Sequence, residues 1–210
     1  MCMETNQVTE HLQVIRTLME RSALYRRALA PIMIYCGALG IVAGVTGWLL
    51  QIHSARGFVF FWDAVAAMAL IGSFLLVRRQ ALKDSEPFWS PPTRRVAQAM
   101  LPPLSIGFVI GTVIAVCLQE EDSSHETVLI LGWVWLYGCA IHSAGFFMPR
   151  GIKLFGWLFI LAGCVLLGCL VKLVEWEKFP PHFLMGSIFG GLHLAYGAYL
   201  YLTEKGKNVS

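Results

Sequence analysis

The chain has 210 residues, of which 57% are hydrophobic and only 14% charged. A soluble domain carries about 25% charged residues, so this composition excludes an ordinary water-soluble globule. The net charge of +3 is small and no basic run is interleaved with aromatics, which excludes nucleic acid as the expected partner.

The first 25 residues are too polar for the apolar stretch of a secretory signal. Val8, Leu12, Ile15 and Met19 follow one another at spacings of four, three and four, which puts them on one face of a helix. Residues 1–27 are therefore expected to form an amphipathic helix lying on the cytoplasmic leaflet. Docking of this helix to a partner is the alternative.

Six apolar blocks follow, each about as long as the roughly 20 residues needed to span a hydrocarbon core. They cover Ala28–Leu50, Phe58–Val77, Met100–Leu118, Thr127–Phe147, Leu154–Val174 and Phe183–Leu202. Lipid offers backbone groups no partner, so each block is expected to be a helix. The expected fold is all-α: one domain over residues 28–210, built as an integral membrane six-helix bundle behind the interfacial helix. Between blocks two and three, Ser90, Pro91 and Pro92 read as a helix start. Pro102 and Pro103 then fall in the first turns of block three, where proline is tolerated.

Lysine and arginine set the orientation. Arg16, Arg21, Arg26, Arg27, Arg78, Arg79, Lys83, Arg94, Arg95, Arg150, Lys153, Lys205 and Lys207 fall on one side, and only Arg56, Lys172 and Lys178 on the other. This split of 13 against 3 out of 16 predicts a multi-pass protein with both termini in the cytoplasm. Residues 119–126, QEEDSSHE, read as a solvated acidic loop outside.

Small residues mark where membrane helices approach closely. Gly37, Gly40, Gly44 and Gly47 form a stripe on the first block. Gly107 and Gly111 lie on the third, and Gly186 and Gly190 form a GxxxG pair on the sixth. Such faces also permit a homo-oligomer or association with other membrane subunits.

Asp63, His142 and His193 lie well inside blocks two, four and six. His142 stands between Gly138 and Gly145, and His193 between Gly190 and Gly197, so each imidazole is expected to point at a neighbouring helix. Counted from the cytoplasmic ends, His142, His193 and Asp63 lie at depths of roughly 8, 14 and 21 Å. Intramembrane ionisable residues are functional candidates by default, and three readings stand open. The imidazoles can be interhelical hydrogen-bond contacts. Asp63, His193 and His142 can form a proton or ion pathway, since histidine titrates near neutral pH. His142 and His193 can be axial ligands of a haem b, although their depths differ by roughly 6 Å. His53, His125 and His182 fall near the outer ends and read as solvated.

Catalytic and metal chemistry find little support. Neither HExxH nor GxSxG occurs. Of Cys2, Cys36, Cys117, Cys139, Cys164 and Cys169, no two have CxxC spacing, and all but Cys2 lie in apolar blocks. That argues against a disulfide framework or a zinc site.

The stretches HLQVIRTLMERSALYRRALAP, EPFWSPPTRRVAQAMLPP and FGGLHLAYGAYLYLTEKGK resemble those of small polytopic inner-membrane proteins of bacteria to which no activity is assigned. The resemblance implies a bacterial inner-membrane protein and carries no activity with it. The expectation is a non-enzymatic structural, accessory or regulatory subunit, with a small transporter and a haem-binding redox protein as alternatives.

Overall fold

The computed structural model of the protein describes residues 28–85, 87–117, 124–172 and 179–207. The expected interfacial helix over 1–27 and most of the acidic 119–126 loop lie outside the described residues. Among the described residues all regular structure is helical. The helices are α1, Ala28–Leu49; α2, Ala55–Lys83; α3, Pro91–Cys117; α4, Ser124–Ala144; and α5, Arg150–Lys172. The sixth, α6, starts as Pro181–Met185, widens into a π-helical segment, Gly186–Gly191, and continues as Leu192–Lys207. All six are long and apolar enough to cross a membrane.

The helices outrun some of the apolar blocks, because backbone hydrogen bonding does not stop where hydrophobicity does. Ser54 caps α2, its hydroxyl accepting from the Gly57 N–H at 3.1 Å. The same helix then continues through Arg78, Arg79 and Lys83. The start of α3 at Pro91 agrees with the Ser-Pro-Pro signal, and the Arg94 N–H donates to the Ser90 carbonyl at 3.1 Å. Pro102 and Pro103 consequently stand in the interior of α3, not in its first turns. They cannot donate to the carbonyls of Gln98 and Ala99 four residues earlier.

Chain neighbours pack side by side, and the last helix returns to the first. Between α1 and α2, the Tyr35 hydroxyl donates to the Met68 carbonyl at 2.9 Å. Between α2 and α3, the Arg56 guanidinium donates to the Ala115 carbonyl at 3.0 Å. Ala115 belongs to the last turn of α3, where helix carbonyls lack backbone donors and attract cations. Between α3 and α4, Trp133 Nε1–H donates to the Gly107 carbonyl at 2.9 Å. Gly138 of α4 packs on Gly156 and Ile160 of α5, and Phe155 of α5 stacks on Tyr196 of α6 at 4.5 Å. The glycine stripe of α1 closes the ring against α6.

Phe58 and Val59 of α2, Ile130 and Val134 of α4, and Phe155 and Phe159 of α5 fill the centre. In its apolar window α4 is 44% buried, whereas α3 is 17% buried, so α4 is central and α3 peripheral. Leu70, Ile71 and Phe74 of α2 and Ile106, Val109 and Ile110 of α3 stay exposed. In water such a surface would aggregate; against acyl chains it has no cost. The Thr112 and Thr203 hydroxyls are satisfied within their own helices: Thr112 donates to Phe108 O and Thr203 to Tyr199 O, each at 2.9 Å.

Candidate functional site

The α1–α6 contact is made of backbone. A Cβ placed on Gly40 would lie 2.9 Å from Gly190 Cα, and one on Gly44 would lie 3.0 Å from Gly186 Cα. One on Gly37 would meet Leu194 at 2.6 Å, and one on Gly47 would enter the His182 ring. All four glycines of the stripe thus face α6, and Gly40 and Gly44 meet Gly190 and Gly186 there. Gly107 and Gly111 are used differently. They do not meet a second backbone but receive the Trp133 indole, whose Nε1 reaches the Gly107 carbonyl.

His193 is 3% exposed and fully engaged. Its Nδ1 lies 2.6 Å from the Phe189 carbonyl and its Nε2 lies 2.7 Å from the Tyr137 hydroxyl. A carbonyl only accepts, so Nδ1 carries the proton and donates to Phe189. In the neutral ring Nε2 then accepts from the Tyr137 O–H. Phe155 and Phe159 pack around the ring with centroids at 5.2 and 5.5 Å. Gly190 and Gly197 face α1, at Ile41 and Ile34, while the imidazole faces α4 and α5. The expected shared face is therefore split, with the glycines on α1 and the imidazole on α4 and α5. Ligation of a haem iron through Nε2 would require Tyr137 to give up its bond.

The histidine that sequence reasoning passed over is His182. It was expected to be solvated, yet it is 4% exposed. Trp62 Nε1–H donates to its Nδ1 at 3.2 Å, and its Nε2 lies 3.0 Å from the Ile52 carbonyl. Here the tautomer is the opposite one: Nδ1 accepts and Nε2–H donates. Phe58 and Phe61 flank the ring at 5.0 and 5.4 Å, and Gly47 leaves the room it occupies. The burial follows from three elements meeting there, α1, α2 and the start of α6, which no local pattern announces. Tyr137 was also missed, although a signal existed: a tyrosine in mid-span needs a partner for its hydroxyl.

His142 is half-buried at the α4–α5 contact. Its Nδ1 lies 3.4 Å from the Lys153 carbonyl, and the ring meets Phe146 and Trp157 edge-on, each at 5.5 Å. Gly138, Gly145 and Gly156 let the two backbones close around it. Asp63 is half-buried on α2, and no hydrogen bond or ion pair to it is found among the described residues. Asp63, His142 and His193 are not hydrogen-bonded to one another. Glu126, read as part of a solvated loop, is 6% exposed in the first turn of α4.

Among the described residues no group of three histidine, cysteine, aspartate or glutamate side chains could hold a metal ion. What the arrangement does chemically is to tie helices together. Tyr137–His193 joins α4 to α6, Trp62–His182 joins α2 to α6, and His142–Lys153 joins α4 to α5. Compared with protein-family models, curated proteins and solved structures, the chain matches none.

Proposed function

We propose that the protein is a non-enzymatic multi-pass membrane component, a structural, accessory or regulatory subunit of a membrane assembly. It sits in the bacterial inner membrane with both termini in the cytoplasm. The observation that carries this reading is the closed Tyr137–His193–Phe189 unit, in which both ring nitrogens of a histidine only 3% exposed are spent on bonds within the bundle. A catalytic base or a ligand keeps a nitrogen open to its substrate or metal; this imidazole holds helices together. The exposed apolar faces of α2 and α3 fit lipid, a second copy or another membrane subunit.

The second reading, a proton or ion pathway, is favoured by the half-buried Asp63 with no partner among the described residues. One experiment separates the two. The protein is reconstituted into vesicles carrying a pH gradient, and native membranes are dissolved in mild detergent and run on a native gel. The structural reading expects the gradient to hold as in empty vesicles, and the protein to migrate in a complex larger than a monomer. A leak that disappears in Asp63→Asn would overturn it in favour of transport.

A further inference from the structure

On the outside of the α1–α2 pair runs a groove of about 640 Å³, walled by Pro31 and Ile34 of α1 and by Leu75 and Leu76 of α2. One end closes where the Tyr35 ring drops into the space left by Gly72, pinned by its bond to the Met68 carbonyl. At the other end stands Arg79. Seven residues separate Gly72 from Arg79, so the slot is roughly 10 Å long.

Arg79 is exposed, and no carboxylate pairs with it among the described residues. Asp84, the nearest acid along α2, already accepts from Gln80 Nε2 at 3.0 Å. Arg78 and Lys83 add positive charge at the same end of the helix. An apolar slot ending in an exposed guanidinium is complementary to hydrocarbon joined to an anionic head. Guanidinium also recognises phosphate through paired N–H donors, and basic pockets between membrane helices suit anionic lipid heads.

We propose that this groove holds an acyl chain of an anionic phospholipid, with the lipid phosphate on Arg79. The inference goes beyond the structural role above and does not depend on it. Tyr35 sets how deep the chain reaches, and Gly72 is required because any side chain there would displace the Tyr35 ring.

The test uses the full chain purified in detergent, with dioleoylphosphatidylglycerol and dioleoylphosphatidylcholine compared by native mass spectrometry. The glycerol lipid should bind about fivefold more tightly, the effect of one favourable basic contact. Arg79→Gln should bring the two lipids within about twofold of each other. Arg78→Gln, the same charge change off the groove lining, should keep the preference. Leu75→Trp should fill the slot and reduce binding of the first lipid of either kind, which tests the groove without touching Arg79. Equal binding of the two lipids would overturn the proposal, and so would equal losses in Arg78→Gln and Arg79→Gln, which would mean a diffuse basic surface. Disulfide-linked dimers of Leu75→Cys that form only without lipid would support the site; dimers that persist with lipid present would assign the groove to a second copy.

Discussion

Gly40 of α1 and Gly190 of α6 meet backbone to backbone: a methyl group on Gly40 would sit 2.9 Å from both Cα and N of Gly190. The contact works in both directions, since a methyl on Gly190 would lie 2.6 Å from the Ile41 nitrogen. Neither backbone can yield as a flexible side chain would. Without a hydrophobic force between helices in lipid, such close packing is a main source of association.

Gly40→Ala and Gly190→Ala should each therefore destabilise the protein by about 1–3 kcal/mol, the usual cost of overpacking. Gly191 is the internal control, because nothing lies within 4 Å of the methyl it would carry. Gly191→Ala should be neutral or stabilise by up to about 1 kcal/mol through helix propensity. Thermal unfolding in detergent measures all three. Equal losses at positions 190 and 191 would mean that the α1–α6 crossing is not the stabilising contact.

Tyr137 and His193 should behave as one unit. Removing the hydroxyl in Tyr137→Phe leaves the buried Nε2 without its donor, at a cost of about 1–3 kcal/mol. In a double-mutant cycle with His193→Phe, the coupling should be about 0.6–1.7 kcal/mol, the range for hydrogen bonds between membrane helices. His142, half-buried with one bond of 3.4 Å, should lose less on replacement by Leu than His193 does. Strict additivity at 137 and 193 would contradict the hydrogen bond.

The number of the helices and their apolar middles were legible because lipid makes hydrophobic length a direct measure of a span. The stripe from Gly37 to Gly47 was legible too, since its spacing alone puts it on one face. What it faced was not: spacing cannot say that the partners are Gly186 and Gly190, because that is set by a contact more than 140 residues away in the chain. His142 and His193 could be marked as needing partners, by the expense of bare polar groups in lipid. His182 could not. It stands in the first turn of α6, where hydropathy predicts water, and only the convergence of Trp62, Ile52 and Gly47 buries it. The length of α3 beyond its apolar block was half-legible, in Ser90 and Pro91, and hydropathy then misplaced Pro102 and Pro103.

His182 should control the turn between α1 and α2. Its Nε2–H bond to the Ile52 carbonyl ties residues 50–54 to the start of α6. His182→Phe keeps a ring in the aromatic nest but loses both polar contacts, to Ile52 and to Trp62 Nε1. Amide hydrogen exchange should quicken in residues 50–54, while the centre of α4 stays protected. Unchanged exchange in the turn would show that the imidazole does not hold it.

The charge bias makes a last prediction, and Arg56 sharpens it. Only Arg56, Lys172 and Lys178 oppose the 13 basic residues assigned to the cytoplasmic side. The guanidinium of Arg56 is bonded to the Ala115 carbonyl at the end of α3, so it serves a helix terminus. Its presence on the minority side is thus explained locally and does not weaken the bias. His53 is exposed in the turn just before α2, and Ser85 is exposed in the turn just after it, so the two mark opposite ends of one span. In a chain whose native cysteines are replaced, an impermeant thiol reagent should label His53→Cys in intact cells. It should reach Ser85→Cys only after the membrane is opened. The reverse pattern would invert the orientation. It would also move Arg79 and its groove to the outer leaflet, while leaving the lipid preference measured in detergent unchanged.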